Sequence, residues 1–437
     1  MNRRLLSLLA LLAVVGLVVA ACGGGDDDSS APAPAEPAAE EPAPAEEPAP
    51  AEEPAAPAEA ASGEPIVIGV PASLTGPLQP WGGWPLQAAE LAVEDINAAG
   101  GVIDGRPLKI VAVDDKSDFA SNGAAAAIEV INEGAVVIMT DCDFDWSAPA
   151  QAEATSRGIP AISFCAGAPN FGPQGLSPLS FSTGIATPNE AAAPAEWAYN
   201  EQGWKTVFLL NDPVIDYDTT YCRAFAARFE ELGGTVLGQE DFENADPQLG
   251  PVITRYQNLD EEPDFITLCS FPPAGATAIR QLRASGVETP IFMNVGMGGD
   301  FWFESIGEPL NNAWQGGYAS WKGDDSRPLV NEIAARYAER YEGIPLPHAL
   351  MGYQTVQLIA DSLNRAGTTD GEALAAAMSE IDGDFLIGRH TINPEFGHSF
   401  TLPVTIMEIN DGVASFLKVL EASEDYSRLV PASQGQG

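Results

Sequence analysis

Residues 66–77 read Ile66-Val67-Ile68-Gly69-Val70-Pro71-Ala72-Ser73-Leu74-Thr75-Gly76-Pro77, and residues 85–101 read Pro85-Leu86-Gln87-Ala88-Ala89-Glu90-Leu91-Ala92-Val93-Glu94-Asp95-Ile96-Asn97-Ala98-Ala99-Gly100-Gly101. Ile66–Val70 is an almost unbroken apolar run, too short for a helix, as expected of a strand covered on both faces. From Pro85 to Ala99 the period changes. Leu86, Ala89, Val93 and Ile96 fall on one face at helical spacing, Pro85 suits a first turn and Gly100-Gly101 supplies a stop. A buried strand, a Gly/Trp/Pro-rich loop over Ser73–Trp84 and an amphipathic helix make the first half of a βαβ unit.

The same alternation continues outward. Leu108–Val113, Ala135–Thr140 and Ile159–Ser163 read as further buried strands of a first set. A second set starts at a helix from Thr187 through Trp197. Strands Thr206–Leu210, Gly234–Leu237, Asp264–Cys269 and Pro290–Asn294 follow, with helices Thr220–Leu232 and Ala276–Ser285 between them. Helices over Leu329–Glu342, Ala349–Ala366 and Gly371–Ile381 then lead to strand-like Thr401–Ile409. The expected fold class is α/β, with two similar doubly wound parallel-sheet lobes joined by crossover strands. About 370 residues are more than one core usually holds. The first lobe is expected over 65–184 and 317–388, and the second over 185–316 and 389–437.

The N-terminus carries no part of that fold. Arg3-Arg4, the apolar Leu5–Val19 and Ala20-Ala21-Cys22 have the order of an export signal. Val19-Ala20-Ala21-Cys22 also resembles a bacterial lipobox, which implies acylation of Cys22 and membrane attachment through lipid. Residues 1–22 are therefore expected to be a lipoprotein signal peptide. Residues 23–64, dominated by Ala, Pro and Glu, can bury nothing and are expected to form a disordered tether. In a polyproline-like state the stretch reaches on the order of 100 Å.

Sixty-two acidic residues stand against twenty Lys and Arg, a net charge of −42, of which about −32 belongs to the expected lobes. Such a surface repels phosphate backbones, so nucleic acid is excluded as a partner. Cys142, Cys165, Cys222 and Cys269 form an even set in a compartment that permits disulfides; three pairings are open, as are four free thiols. With three histidines and no HExxH or CxxC spacing, no metal or other cofactor is expected. Asp141, Asp143 and Asp145 imitate the start of a calcium loop without its glycine and distal glutamate. Nucleophile elbows and phosphate-cradling glycine loops are missing too, which argues against an enzyme.

In open α/β sheets ligands sit beyond the carboxyl ends of the strands. There the sequence places Trp81, Asp141–Trp146, Cys165–Pro169, Asp212–Tyr217, Ser270–Pro273 and Val295–Asp300. Ile68-Gly69-Val70 with Leu74-Thr75-Gly76-Pro77, then Ala92 to Gly101, Val113-Asp114-Asp115, Gly158 to Ser163 and Arg280 to Gly286 resemble the branched-chain amino acid binding protein family, periplasmic binding proteins of the type I fold. The resemblance runs from Pro65 to Leu420. It implies an extracytoplasmic, monomeric binder that closes two lobes on a small solute and hands it to an ABC permease. A sensor of the same fold signalling to a membrane receptor is the alternative.

The resemblance also implies site positions, and the sequence departs at several. Where relatives that bind amino acids carry a serine, this chain has Asp143 or Phe144. The turn that holds the amino acid reads Cys165-Ala166-Gly167, and a glutamate position reads Gly296, followed by Met297. Losing hydroxyls and gaining carboxylates disfavours a ligand carboxylate. Aromatic rings at Trp81, Phe144, Tyr217 and Phe271 suit a flat or cationic solute, and Trp146 either caps its helix or joins them. Along an extended loop the aspartates at 141, 143 and 145 would face one way and Cys142 and Phe144 the other. The expected solute is a small amino-acid-like, amide, amine or aromatic molecule.

Overall fold

The computed structural model describes residues 61–245, 247–341 and 346–430. The signal sequence, Cys22 and nearly all of the tether lie outside the described residues. Among those described, no helix is long and apolar enough to cross a membrane.

The first sheet contains β1 (Ile66–Ala72), β2 (Leu108–Asp114), β3 (Ala135–Thr140), β4 (Ala161–Ser163) and β5 (Ser180–Ser182), all parallel, in the order β2-β1-β3-β4-β5. Its crossovers are α1 (Gln79–Ala98), α2 (Phe119–Asn132) and α3 (Phe144–Ser156). Ile66, Ile68 and Val70 are fully enclosed, as the apolar run requires. Helix α1 begins six residues earlier than the periodicity predicts, and Pro85 lies inside it. Pro80, at the N-terminal end, takes the role expected of Pro85, since a first-turn proline forfeits no intrahelical bond.

The second sheet receives helices α4 (Thr187–Asn200), α5 (Asp216–Glu231), α6 (Gly250–Gln257) and α7 (Ala274–Ala284). Its strands begin with β6 (Thr206–Asn211), β7 (Thr235–Asp241), β8 (Phe265–Cys269), β9 (Ile291–Met293) and β10 (Ala313–Gly317). The chain then crosses back. Helix α8 (Pro328–Tyr341) docks on α1 through a bidentate Arg336–Asp95 pair at 2.7 Å. Helix α9 (Pro347–Ala366) presses so closely on α1 that a Cβ at Gly352 would overlap the Pro85 carbonyl. After α10 (Gly371–Ser379) and the hairpin of β11 (Asp382–Phe385) and β12 (Gly388–Thr391), residues 395–397 still bond to residues 172–182 of the first lobe. Only β13 (Val404–Asn410) and β14 (Val413–Leu420) rejoin the second sheet, antiparallel, giving the order β14-β13-β10-β9-β8-β6-β7.

Three chain segments thus connect the lobes, and Arg327 ties the second to the third. Its guanidinium donates to the Tyr318 carbonyl (3.0 Å), the Ile387 carbonyl and the Thr405 hydroxyl (2.9 Å), while Asp325 accepts from it. The cysteines form two disulfides, each within one lobe: Cys142–Cys165, with Cα atoms 4.3 Å apart, and Cys222–Cys269, at 5.8 Å.

Candidate ligand cleft between the lobes

The first turn of α1 sets the geometry of the cleft. Because Pro85 has no N–H, the Trp81 carbonyl lacks its usual helical donor, and the backbone N–H of Cys142 takes its place at 3.0 Å. The loop after β3 is thereby pinned beside Trp81. Its second anchor is Asp143, which caps α3 by accepting from Asp145 N (2.9 Å) and Trp146 N (3.4 Å). The cap ends the extended backbone one residue before Phe144, so the alternation expected of the aspartates does not occur. Cys142 and Asp143 both line the cleft, and the disulfide to Cys165 joins this loop to the one after β4.

From the second lobe, Tyr217 on the first turn of α5 donates to Glu190 Oε1 at 2.5 Å, and the same oxygen accepts the Val295 N–H at 3.1 Å. The Tyr217 oxygen accepts the Gly296 N–H at 3.2 Å. Gly167 makes room for this ring, since a Cβ there would stand 2.7 Å from Tyr217 Cε2. Phe271, in the loop after β8, reaches across to the first lobe. Its ring centroid lies 5.7 Å from both Trp81 and Trp146, which are themselves 5.6 Å apart, all edge-on. Each such pair contributes about 0.5–1.5 kcal/mol beyond area burial.

Trp81, Asp143, Trp146, Tyr217 and Phe271 line one narrow cleft, with Ile215, Val295, Tyr318 and His348 completing the wall. Tyr318 donates to the Cys165 carbonyl at 2.7 Å. His348 is held neutral: burial drives its pKa down to about 4. Burial, reinforced by Asp145, pushes Asp143 up to about 8, and burial pushes Glu190 to about 8. Asp141 is raised well above the usual carboxylate range, first by burial and then by Asp115. It is occupied below the cavity, accepting the Ser73 N–H at 3.0 Å.

Of the positions singled out from sequence, Trp81, Asp143, Cys165, Gly167, Tyr217, Phe271 and Gly296 line the cavity, as does Trp146. Three do not. Phe144, turned away by the start of α3, packs on Phe171 at 5.1 Å. The Ala166 carbonyl is taken by Ser182 Oγ and the His398 ring. Met297 is buried against Gly275, and its carbonyl accepts the Trp302 indole N–H. Sequence reasoning missed Glu190, Tyr318 and His348. Only Glu190 left a local trace, lying three residues after Thr187 in the Thr-x-x-Glu pattern of a helix start.

A family model described as periplasmic binding protein matches residues 65–414. The Leu/Ile/Val-binding protein BraC3 of Rhizobium johnstonii is 24% identical over 318 residues, 72% of this chain and 83% of that protein. Among solved structures, the branched-chain amino acid transporter substrate binding protein LivJ from Streptococcus pneumoniae, in complex with isoleucine, superposes with a TM-score of 0.70 at 22% identity, covering 82% of this chain and 100% of that one. A solute binding protein of an ABC transporter from Rhodopseudomonas palustris, in complex with 3,4-dihydroxy benzoic acid, gives 0.67 at 20% identity, covering 82% and 98%. The chain belongs to the periplasmic binding protein family, with the type I two-lobed fold. The family is one of extracytoplasmic solute-binding proteins, and the relatives it brings are binders rather than enzymes.

Proposed function

We propose that this chain is the lipid-anchored, monomeric solute receptor of an ABC importer. Residues 1–22 direct export, Cys22 is acylated, and the tether over 23–64 lets the two-lobed body reach its permease. The contacts to solute come from Trp81, Asp143, Cys165, Gly167, Tyr217, Phe271 and Gly296. The observation that carries this reading is that one cavity wall is assembled from both lobes, with Trp81 and Trp146 on one side and Tyr217 and Phe271 on the other. A solute held there contacts both lobes only when they are closed, which is the differential affinity that shifts an open–closed equilibrium. Uptake into vesicles carrying the cognate permease and ATPase, with and without this protein, tests the reading. Transport that depends on the protein supports it; transport indifferent to it refutes the importer role.

A further inference from the structure

The polar chemistry of the cleft is one-sided. Among its described lining residues there is no Arg or Lys; the ionisable ones are Asp143, Tyr217, Tyr318 and His348. Both tyrosine hydroxyls are engaged, Tyr217 with Glu190 and Tyr318 with the Cys165 carbonyl. Nothing in that set offers a formal positive charge to a ligand carboxylate.

Carboxyl and hydroxyl oxygens, by contrast, outnumber their partners. Glu190 is 1% exposed; one of its oxygens serves Tyr217 and Val295, whereas Oε2 has no hydrogen-bond partner among the described residues. Thr187 Oγ1, one turn earlier on α4 and beside Gly167, is likewise without a partner. So is Asp218 Oδ2, although its other oxygen accepts from Asn294 Nδ2 at 2.8 Å. Buried polar atoms without partners are rare in native proteins, and a buried carboxylate is costly unless a charge answers it. The remaining wall is aromatic, and ring faces attract cations.

We infer that the cleft selects a cationic solute, an amine or quaternary ammonium with a compact apolar body, balanced by Asp143 and Glu190 and packed against Trp81, Trp146, Tyr217 and Phe271. This rests on the solute-receptor reading and narrows it. The groups facing Asp143 are Asp145 on its own helix, Asp141 in the preceding loop, Asp216 and Asp218 on α5, and Tyr217 and His348 across the cavity. All of these are acidic or held neutral, so they oppose ionisation of Asp143 until a cation arrives. Binding then releases protons, and affinity for a permanent cation rises as pH approaches 8.

Titration calorimetry on the full-length protein tests the inference with a charge series on two skeletons: 3-methylbutylamine, 3-methylbutanamide, 3-methylbutanoate and leucine, then benzylamine, benzamide and benzoate, with choline as the permanent cation. Asp143→Asn is the companion variant, because Asn caps a helix as well as Asp and removes only the charge. The expected result is at least tenfold tighter binding of a cation than of its neutral and anionic partners. That preference should be lost in Asp143→Asn, and choline affinity should rise several-fold between about pH 6 and pH 8. Tighter binding of an amide, an acid or leucine overturns the charge assignment and leaves the solute-receptor reading standing. Equal cation binding by Asp143→Asn also overturns it. Binding of none of the eight overturns the charge assignment and counts against the cleft as the solute site.

Discussion

The carboxylate of Asp145, in the first turn of α3, accepts the backbone N–H of Asp216, in the first turn of α5, at 3.1 Å, and the two residues belong to different lobes. Asn170 reinforces the contact from the first lobe by donating to Asp216 Oδ2 at 2.9 Å. An N–H at a helix start has no intrahelical acceptor, and a carboxylate there is also favoured by the helix dipole. The pair exists only while the lobes are together, so it acts as a latch on the closed form.

Asp145→Ala should therefore shift the protein towards the open form without unfolding it. A charged hydrogen bond at a half-buried site contributes about 1 kcal/mol, roughly a fivefold change in the closed-to-open ratio. Small-angle scattering of the ligand-free variant should give a larger radius of gyration than wild type. An unchanged radius would remove the latch from the account.

The buried carboxyls give stability a definite pH dependence. Burial raises Asp143 and Glu190 to about 8 and lifts Asp141 and Asp218 well above the usual carboxylate range. A carboxyl with a raised folded pKa contributes stability that is fully present below its unfolded value and is lost as pH rises through the folded value. The buried His348, His390 and His398 act in the opposite sense, but only below their usual 6.5, since burial lowers them to about 4, 3 and 4. Between about pH 6.5 and pH 8 the carboxyls act alone. The melting temperature of the ligand-free protein should fall across that window, and Glu190→Gln should flatten the fall. A wild-type melting temperature that rises there would contradict the buried, protonated state.

Much of the fold was legible because local pattern and burial agree. Ala135–Thr140 was read with the bounds of β3, and Ile66 and Leu108 were read as the starts of β1 and β2. The start of α1 was not, because a proline at position 85 signals a helix beginning only when nothing else can take up the freed carbonyl. Here Cys142, fifty-seven residues further on, does so. The site shows the same limit. Trp81, Tyr217 and Phe271 follow the ends of strands that the sequence pattern locates, whereas Tyr318 follows β10, a strand it does not, and His348 enters on the returning helix α9. Such residues reach the cleft through tertiary placement and leave no periodic signal. Phe144 failed for a local reason, the Asp143 cap that turns the chain into α3.

The Cys222–Cys269 disulfide closes a loop of 47 residues between α5 and β8. Replacing both cysteines by alanine should cost about 2–4 kcal/mol through the unfolded state. Denaturant titration would register this as a lower midpoint, and an unchanged midpoint would show that the pair is not bonded in the native protein.

Lipid attachment predicts a change of compartment rather than of stability. Cys22→Ala should move the protein from the membrane fraction to the soluble extracytoplasmic fraction, with its melting temperature intact. Retention on membranes after washing would rule out acylation at Cys22 as the anchor.

The most direct test of the central claim, that one solute is gripped by both lobes, is calorimetric titration of the tightest-binding solute from the charge series into wild type, Trp81→Ala and Phe271→Ala. The two substituted rings come from opposite lobes and meet at 5.7 Å. The account predicts single-site binding by wild type and at least tenfold weaker binding by each variant, with each ligand-free variant still unfolding cooperatively. Full affinity in either variant would mean that the solute does not lie between the lobes at this cluster.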